Sequence, residues 1–259
     1  MTEPEFATSR LKLARAEEHF KNYSSEKVSW INEQPYAFSK EFNPETGRHS
    51  VLLDVRKPPP LERWSLIAGD CFHNLRSALD HLTYGLGIRD SGQKPPPDAG
   101  KLQFPIVTDP DKWPTTSSRR LRALNASSQA RIEELQPYKR KHPQLPPLLT
   151  LLSYFDNADK HRLVALACQH VVGATFSSHE VKPFPKTHTL RSQITSTTRM
   201  IMFFDTNPPD PNFQYDYDPT IEITISHPQG PNSSHVTILD RMLDLLVEEV
   251  RQVINHLSH

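Results

Sequence analysis

Between Phe72 and Leu82 the chain reads His73-Asn74-Leu75-Arg76-Ser77-Ala78-Leu79-Asp80-His81, its densest run of side chains able to move protons or hold an anion. An imidazole titrates near neutral pH, so His73 and His81 can each act as acid or base there. The guanidinium of Arg76 is a planar fork matched to the oxygens of a phosphate or a carboxylate. Asp80 suits pairing with Arg76 or orienting a histidine, and Asn74 suits orienting a bound phosphate. A second run, Asn157-Ala158-Asp159-Lys160-His161-Arg162, brings polar groups to the end of an apolar stripe made of Leu148, Leu152 and Phe155. Asp159 is the acid that enters that stripe, and Arg162 lies near it. The plainest reading of this second run is a helix end at which Asp159 pairs with Arg162 near the surface.

Helices must bring these groups to one place. After Pro58 to Pro60, which suit a helix entry, a helical pattern runs from Leu61 to Gly87. At about 100° per residue, Ile67, Ala68, Cys71, Phe72, Leu75, Ala78, Leu79, Leu82 and Leu86 share an arc of about 140°. His73, Asn74, Arg76, Ser77, Asp80 and His81 fill the opposite face over about 160°, so they point toward a common ligand or partner. Pro146-Pro147 opens the helix that ends at Asp159. The expectation is that Asp159 shares one polar cleft or dimer interface with the Arg76/His81 face.

Other elements follow from the same periodicities. A helix is expected over Glu5 to Asn32. A β-hairpin is expected over 36–56, where Tyr36, Phe38 and Phe42 alternate before a turn and Val51, Leu53 and Val55 after it. Ser91 to Gln103 reads as loop, followed by the short apolar Phe104-Pro105-Ile106-Val107 and helices around Arg119 to Leu124 and Ser128 to Tyr138. Short β-rich runs then cover Leu163 to Val172, Gly173 to Phe176, Thr187 to Thr195, Met200 to Phe204 and Thr220 to Ser226. A strong apolar stripe predicts a last helix over Val236 to His256, packed on the helical part, with the apolar side of the Leu61 to Gly87 helix as a natural partner. The sum is a single α+β domain over 1–259: a helical bundle core (1–162) with a hairpin insertion, and an antiparallel sheet (163–226) closed by the final helix (236–257).

Composition narrows the function classes. At 259 residues the chain can bury a core without staples, and Cys71 and Cys168 are too few for a disulfide framework or a structural zinc site. Each reads as a buried free thiol. Thirty basic residues balance thirty acidic ones, so no global field advertises nucleic acid. Locally, Lys112 to His142 carries eight Lys/Arg against two Glu, and Asp205 to Glu222 carries five acids and no base. Runs of this kind are usually solvated surface. The charged N-terminal stretch and the lack of a long apolar run point to a cytoplasmic protein with no membrane segment. No Gly-rich phosphate loop, Cys-x2-Cys, Gly-x-Ser-x-Gly or His-Glu-x-x-His occurs, which leaves loop-type nucleotide hydrolases, zinc ribbons, α/β-hydrolases and zincins without support. The remaining histidines, among them His142 and His179, stand singly and read as surface or structural.

The segment Arg76-Ser77-Ala78-Leu79-Asp80-His81 resembles the Arg-x4-His motif of HEPN ribonucleases, a helical superfamily common among bacterial toxins and defence proteins. Paired with Asp159-Lys160-His161-Arg162, His73 to His81 also resembles a group of bacterial proteins in which membership implies no established activity. The ribonuclease resemblance implies a motif helix within a bundle, a homodimer whose two copies meet, RNA as substrate, cleavage without metal or other cofactor, and an antitoxin as a further partner. It makes Arg76 and His81 the catalytic pair; by residue type, His73, Asn74, Asp80, Asp159, His161 and Arg162 suit supporting roles. Such cleavage uses the 2′-hydroxyl of the substrate as nucleophile, so the protein moves protons and stabilises phosphate charge, work that suits these residue types.

Three other readings compete. Arg76, Asp80 and His81 can form a hydrogen-bonded network that packs the helix on its neighbour. His73, Asp80, His81, Asp159 and His161 are suitable types for a divalent metal, but positions 73 and 81 differ by about 80° and more than two turns, a poor spacing for co-ligation. Finally, the polar face suits a non-enzymatic interaction or dimerisation protein.

Overall fold

In the computed structural model, which describes residues 4–140, 147–176, 188–189, 199–230 and 233–259, the chain is α+β. It forms two compact units. One contains Met1–Ser24, Glu62–Ala165 and Ile225–His259; the other contains Ser25–Leu61 and Leu166–Thr224.

The helices of the first unit are α1 (Ala7–Asn32, whose later part enters the second unit), α2 (Leu61–Ser91), α3 (Trp113–Arg120), α4 (Ala126–Glu134), α5 (Leu148–Asp159) and α6 (Leu239–Ser258). Local chemistry sets their ends. Asn125 caps α4 by accepting the amide of Ser128, and α5 starts directly after Pro147, whose missing donor costs nothing at a helix entry. α1 and α2 run antiparallel, as three contacts in register show: Phe6 against Gly85, the Ser9 hydroxyl donating to the Ala78 carbonyl at 2.8 Å, and Cys71 Sγ on the Ala16 carbonyl at 3.4 Å. α2 and α5 are likewise antiparallel. The Ser65 hydroxyl donates to the carbonyl of Val164, Phe72 stacks on Phe155 with ring centroids 4.8 Å apart, and Asp159 rests against Gly69. Both rings are fully buried, worth about 1.5–3 kcal/mol each, and their stacking adds about 1 kcal/mol. A side chain at position 69 would put its Cβ 1.9 Å from Asp159 Oδ1, so glycine is what leaves room for that carboxylate against α2. α6 buries Leu239, Met242, Leu243, Leu246, Val250, Val253, Ile254 and Leu257. It packs against α5 and is tied to α1 by Arg251 on Glu17 and by Tyr23 on Asp240.

In the second unit, β1 (Tyr36–Asn43) and β2 (Arg48–Val55) form the expected hairpin, in register from Tyr36 opposite Val55 to Asn43 opposite Arg48. Its turn is held by Asn43 Oδ1, which accepts the amides of Glu45 and Thr46, and is closed by Gly47 at φ +69°. β3 (Leu166–Phe176) follows, then β4 (His188–Thr189) and β5 (Arg199–Asp205). β5 pairs antiparallel with β2, giving a sheet of order β1-β2-β5-β4. Its core is Val51, Leu53, Ile201, Met202, Phe204, Phe213 and Tyr215. β6 (Tyr215–Gly230) starts in the second unit and continues into the first, to which β7 (Ser233–Ile238) belongs; the order of this three-stranded sheet is β3-β6-β7.

Several boundaries differ from expectation for local reasons. α2 continues four residues past Gly87, its end tied by the Ser91 hydroxyl on the Gly87 carbonyl. The helix expected around Arg119 to Leu124 instead starts at Trp113, beside Pro114 in its first turn, and stops at Arg120. α4 ends at Glu134, not near Tyr138, because Gln136-Pro137 breaks the ladder. Leu163 to Val172 and Gly173 to Phe176 belong to one strand, β3, and β6 begins at Tyr215. β7, which was not expected, takes the start of the predicted last helix, so α6 begins at Leu239. The expected hairpin is not a separate insertion: β5 joins it to the later strands. Of the run Thr187 to Thr195, only His188 and Thr189 are described; Pro146, His142 and His179 lie outside the described residues.

Candidate functional site

The expected site residues fall into three groups around α2, all in the first unit. The first is a closed clamp. Arg76 is 8 % exposed, and its Nη2 donates to Asp80 Oδ1 at 2.7 Å and to the Phe104 carbonyl at 2.6 Å. The Phe104 amide in turn donates to Asp80 Oδ1 at 2.9 Å. Phe104 is fully buried, so the i,i+4 pair Arg76/Asp80 satisfies both backbone polar groups of a residue that has left helical structure. Burial pulls Arg76 below its usual value, against the pull of Asp80 and Asp156. Burial raises the Asp80 carboxyl, which Arg76 and the Phe104 amide oppose.

The second group faces α5. His73 is exposed, and its Nδ1 lies 3.3 Å from Oδ1 of Asp156, a carboxylate only 3 % exposed. Lys160 Nζ holds the other oxygen of Asp156 at 2.6 Å, one helical turn on. Asp159 sits beside this pair against Gly69, and its carboxyl is raised first by burial, then by Asp70 and Asp156, while His73 opposes. Gly69 is seven residues from Arg76, about 10.5 Å of helix rise.

The third group faces α1. Lys12 Nζ reaches Asn74 Oδ1 at 3.5 Å, and Asn74 Nδ2 donates to the Asp70 carbonyl. His81 is half-buried and held below the ordinary imidazole value of 6.5, first by burial, then by the charge of Lys12, with Asp80 opposing. Burial and Lys12 both favour its neutral form, the form a general base requires.

Arg76 and His81, five positions apart, leave α2 about 140° from one another. Arg76 turns to Phe104, and His81 to the side of Lys12. His161 and Arg162 follow the end of α5 and are exposed, so Asp159 meets Gly69 and not Arg162. Three functional candidates escaped the sequence reading: Asp156, Lys160 as its partner, and Lys12. Asp156 was legible in principle, since Leu149, Leu152 and Asp156 keep the 3/4 spacing of a buried stripe. Lys12 was not, because its place depends on the α1/α2 register.

Among the described residues, no group of three or more His, Cys, Asp and Glu is arranged to hold a metal ion, and no helix is long and apolar enough to cross a membrane. No family model, no curated protein and no solved structure matches the chain.

Proposed function

We propose that the polar face of α2, which bears the HEPN-like motif, carries a metal-independent endoribonuclease centre in which His73, outside that motif, is the proton-transfer group and Asp156 the residue that orients it. One observation carries this reading: the 3.3 Å contact between Nδ1 of an exposed imidazole and a buried carboxylate. A carboxylate at Nδ1 favours the tautomer protonated there and leaves Nε2 free to accept a proton. Nε2 takes the 2′-hydroxyl proton as O2′ bonds to phosphorus. The P–O5′ bond then breaks, O5′ takes a proton from water at this open position, and a 2′,3′-cyclic phosphate remains. Lys160 is held by Asp156, so the positive charge for the phosphate comes from the exposed Arg162 just past the end of α5. Arg76 and Asp80 act as positioning residues that fix α2, and His81 serves a different part of the substrate. A second copy and an antitoxin are the partners that this reading implies.

Cleavage of mixed cellular RNA in EDTA tests the proposal, with wild type, His73→Ala, His81→Ala and Arg76→Ala proteins shown to be folded. The expected result is cleavage by wild type, a loss of about 10²–10⁴-fold in His73→Ala, and partial recovery when imidazole is added. Loss in Arg76→Ala and His81→Ala with His73→Ala intact would return the catalytic role to the motif pair. No cleavage by wild type would remove the ribonuclease.

The Arg76 clamp favours a second reading, a non-enzymatic interaction protein, because its guanidinium is already spent on Asp80 and Phe104. On that reading wild type cleaves no RNA and sediments as a complex that substitutions at His73 or Asn74 dissociate.

A further inference from the structure

The α1/α2 seam offers a cation, Lys12, that no carboxylate among the described residues pairs with. Ser9 on Ala78, Ala16 on Cys71 and His19 within 3.9 Å of Asp70 lock the register of the two helices, so Lys12 is delivered to the level of Asn74. Its one hydrogen bond is a long contact of 3.5 Å to a neutral amide oxygen, and among the described residues no carboxylate pairs with it. Ser77 and His81 continue the same side of α2 beyond Asn74, at the three- and four-residue spacings that share a helix face. The charged groups acting on His81 are Lys12 from α1 and Asp80 from α2 itself. The Lys12 ammonium at Asn74 and the His81 imidazole thus lie along one side of α2, while Asp80, the carboxylate acting on His81, is spent on Arg76 and the Phe104 amide.

We infer that Lys12, Asn74 and His81 form an anion subsite that takes a backbone phosphate of single-stranded RNA. The inference rests on the RNA reading above and assigns it a second contact. His73 and His81 are eight residues apart, about 12 Å of helix rise, too far to serve one phosphate. The seam therefore holds a phosphate further along the strand from the one at His73, and Lys12 supplies its charge. Binding and protonation are linked here. A phosphate beside His81 favours the imidazolium, so it raises the titration midpoint of His81 and binds more tightly as pH falls through that midpoint.

The test is ring NMR of His81 in the full chain, titrated alone, with inorganic phosphate, and with a 2′-deoxy oligonucleotide that cannot be cleaved. With either phosphate source saturating, the midpoint is expected to rise by about one unit, a tenfold linkage. Lys12→Ala removes that rise and weakens oligonucleotide binding about tenfold; Lys12→Arg keeps both, and Lys21→Ala, an exposed control on the same helix, changes neither. A midpoint unmoved by both ligands, or a rise that survives Lys12→Ala, overturns the subsite. A Lys12-dependent rise with inorganic phosphate but no oligonucleotide binding keeps the anion site and rejects RNA as its source. Oligonucleotide binding that leaves His81 and Lys12→Ala unaffected keeps RNA and rejects the subsite.

Discussion

At the scale of single residues, the behaviour of Arg76 separates fold from chemistry. Removing it leaves the Phe104 carbonyl without its donor and Asp80 with the Phe104 amide but no countercharge, a change that costs about 3 kcal/mol. Arg76→Ala is therefore expected to lower the urea midpoint of unfolding strongly. Arg76→Lys can meet Asp80 or Phe104 but not both with the same fork, so it should fall between. Asp80→Asn keeps an oxygen for the Phe104 amide and loses the charge, and should cost less than Arg76→Ala. Equal stability of Arg76→Ala and wild type would show that the clamp contributes nothing. The ranking also guards the activity assay: a loss of cleavage in Arg76→Ala that follows its loss of folded protein is positioning, whereas His73, more than half exposed, can be removed without that confusion.

At the scale of elements, the hairpin sheet encloses an imidazole that acid should dislodge. His49 is 3 % exposed, stacked on Phe204 at 4.9 Å and flanked by Phe42, Phe213 and Tyr215. Its Nε2 has no hydrogen-bond partner among the described residues. Burial lowers its pKa below 6.5 and Lys40 adds to this, while the backbone and charge of Asp210 pull the other way. A depressed imidazole binds fewer protons folded than unfolded, so its stabilisation is present above about 6.5 and is lost as pH falls through the folded value. Amide exchange at Val51 and Phe204 should therefore quicken below that pH in wild type but not in His49→Phe; identical pH profiles would exclude His49 as the cause. The hairpin itself was legible in the sequence, because alternation and the Asn43 to Gly47 turn are local signals. That His49 would be boxed in was not, since Phe204, Phe213 and Tyr215 arrive from strands and loops more than 150 residues later. The same limit hid Asp156 as a partner of His73: helix periodicity gives the face of α2, but only the packing of α5 against Gly69 gives what that face meets.

At the scale of the whole molecule, charge decides how RNA would be held. Thirty cations against thirty anions provide no long-range steering, so binding must come from local contacts. The basic stretch from Lys112 is a poor source of them, because much of its charge is already paired within the fold: Lys112 with Asp109, Arg122 with Asp98, Lys139 with Glu133 and Arg140 with Glu249. Its surface reading in the sequence agrees with these pairs. What remains on the proposed reading is the α2 face, with one phosphate near His73 and Arg162 and another at Lys12. Each contact to a single strand releases about 0.7 of a counterion, so two contacts give a slope of about −1.4 for log affinity against log salt. Lys12→Ala should halve that slope. A slope steeper than about −4 would instead require six or more phosphates to be neutralised, more than the α2 face can supply, and would move the RNA surface toward α3, where Arg119 is exposed. Measured by fluorescence anisotropy on the non-cleavable oligonucleotide, the slope reports the number of contacts whether or not any cleavage occurs, and so separates a narrow catalytic face from a broad docking surface.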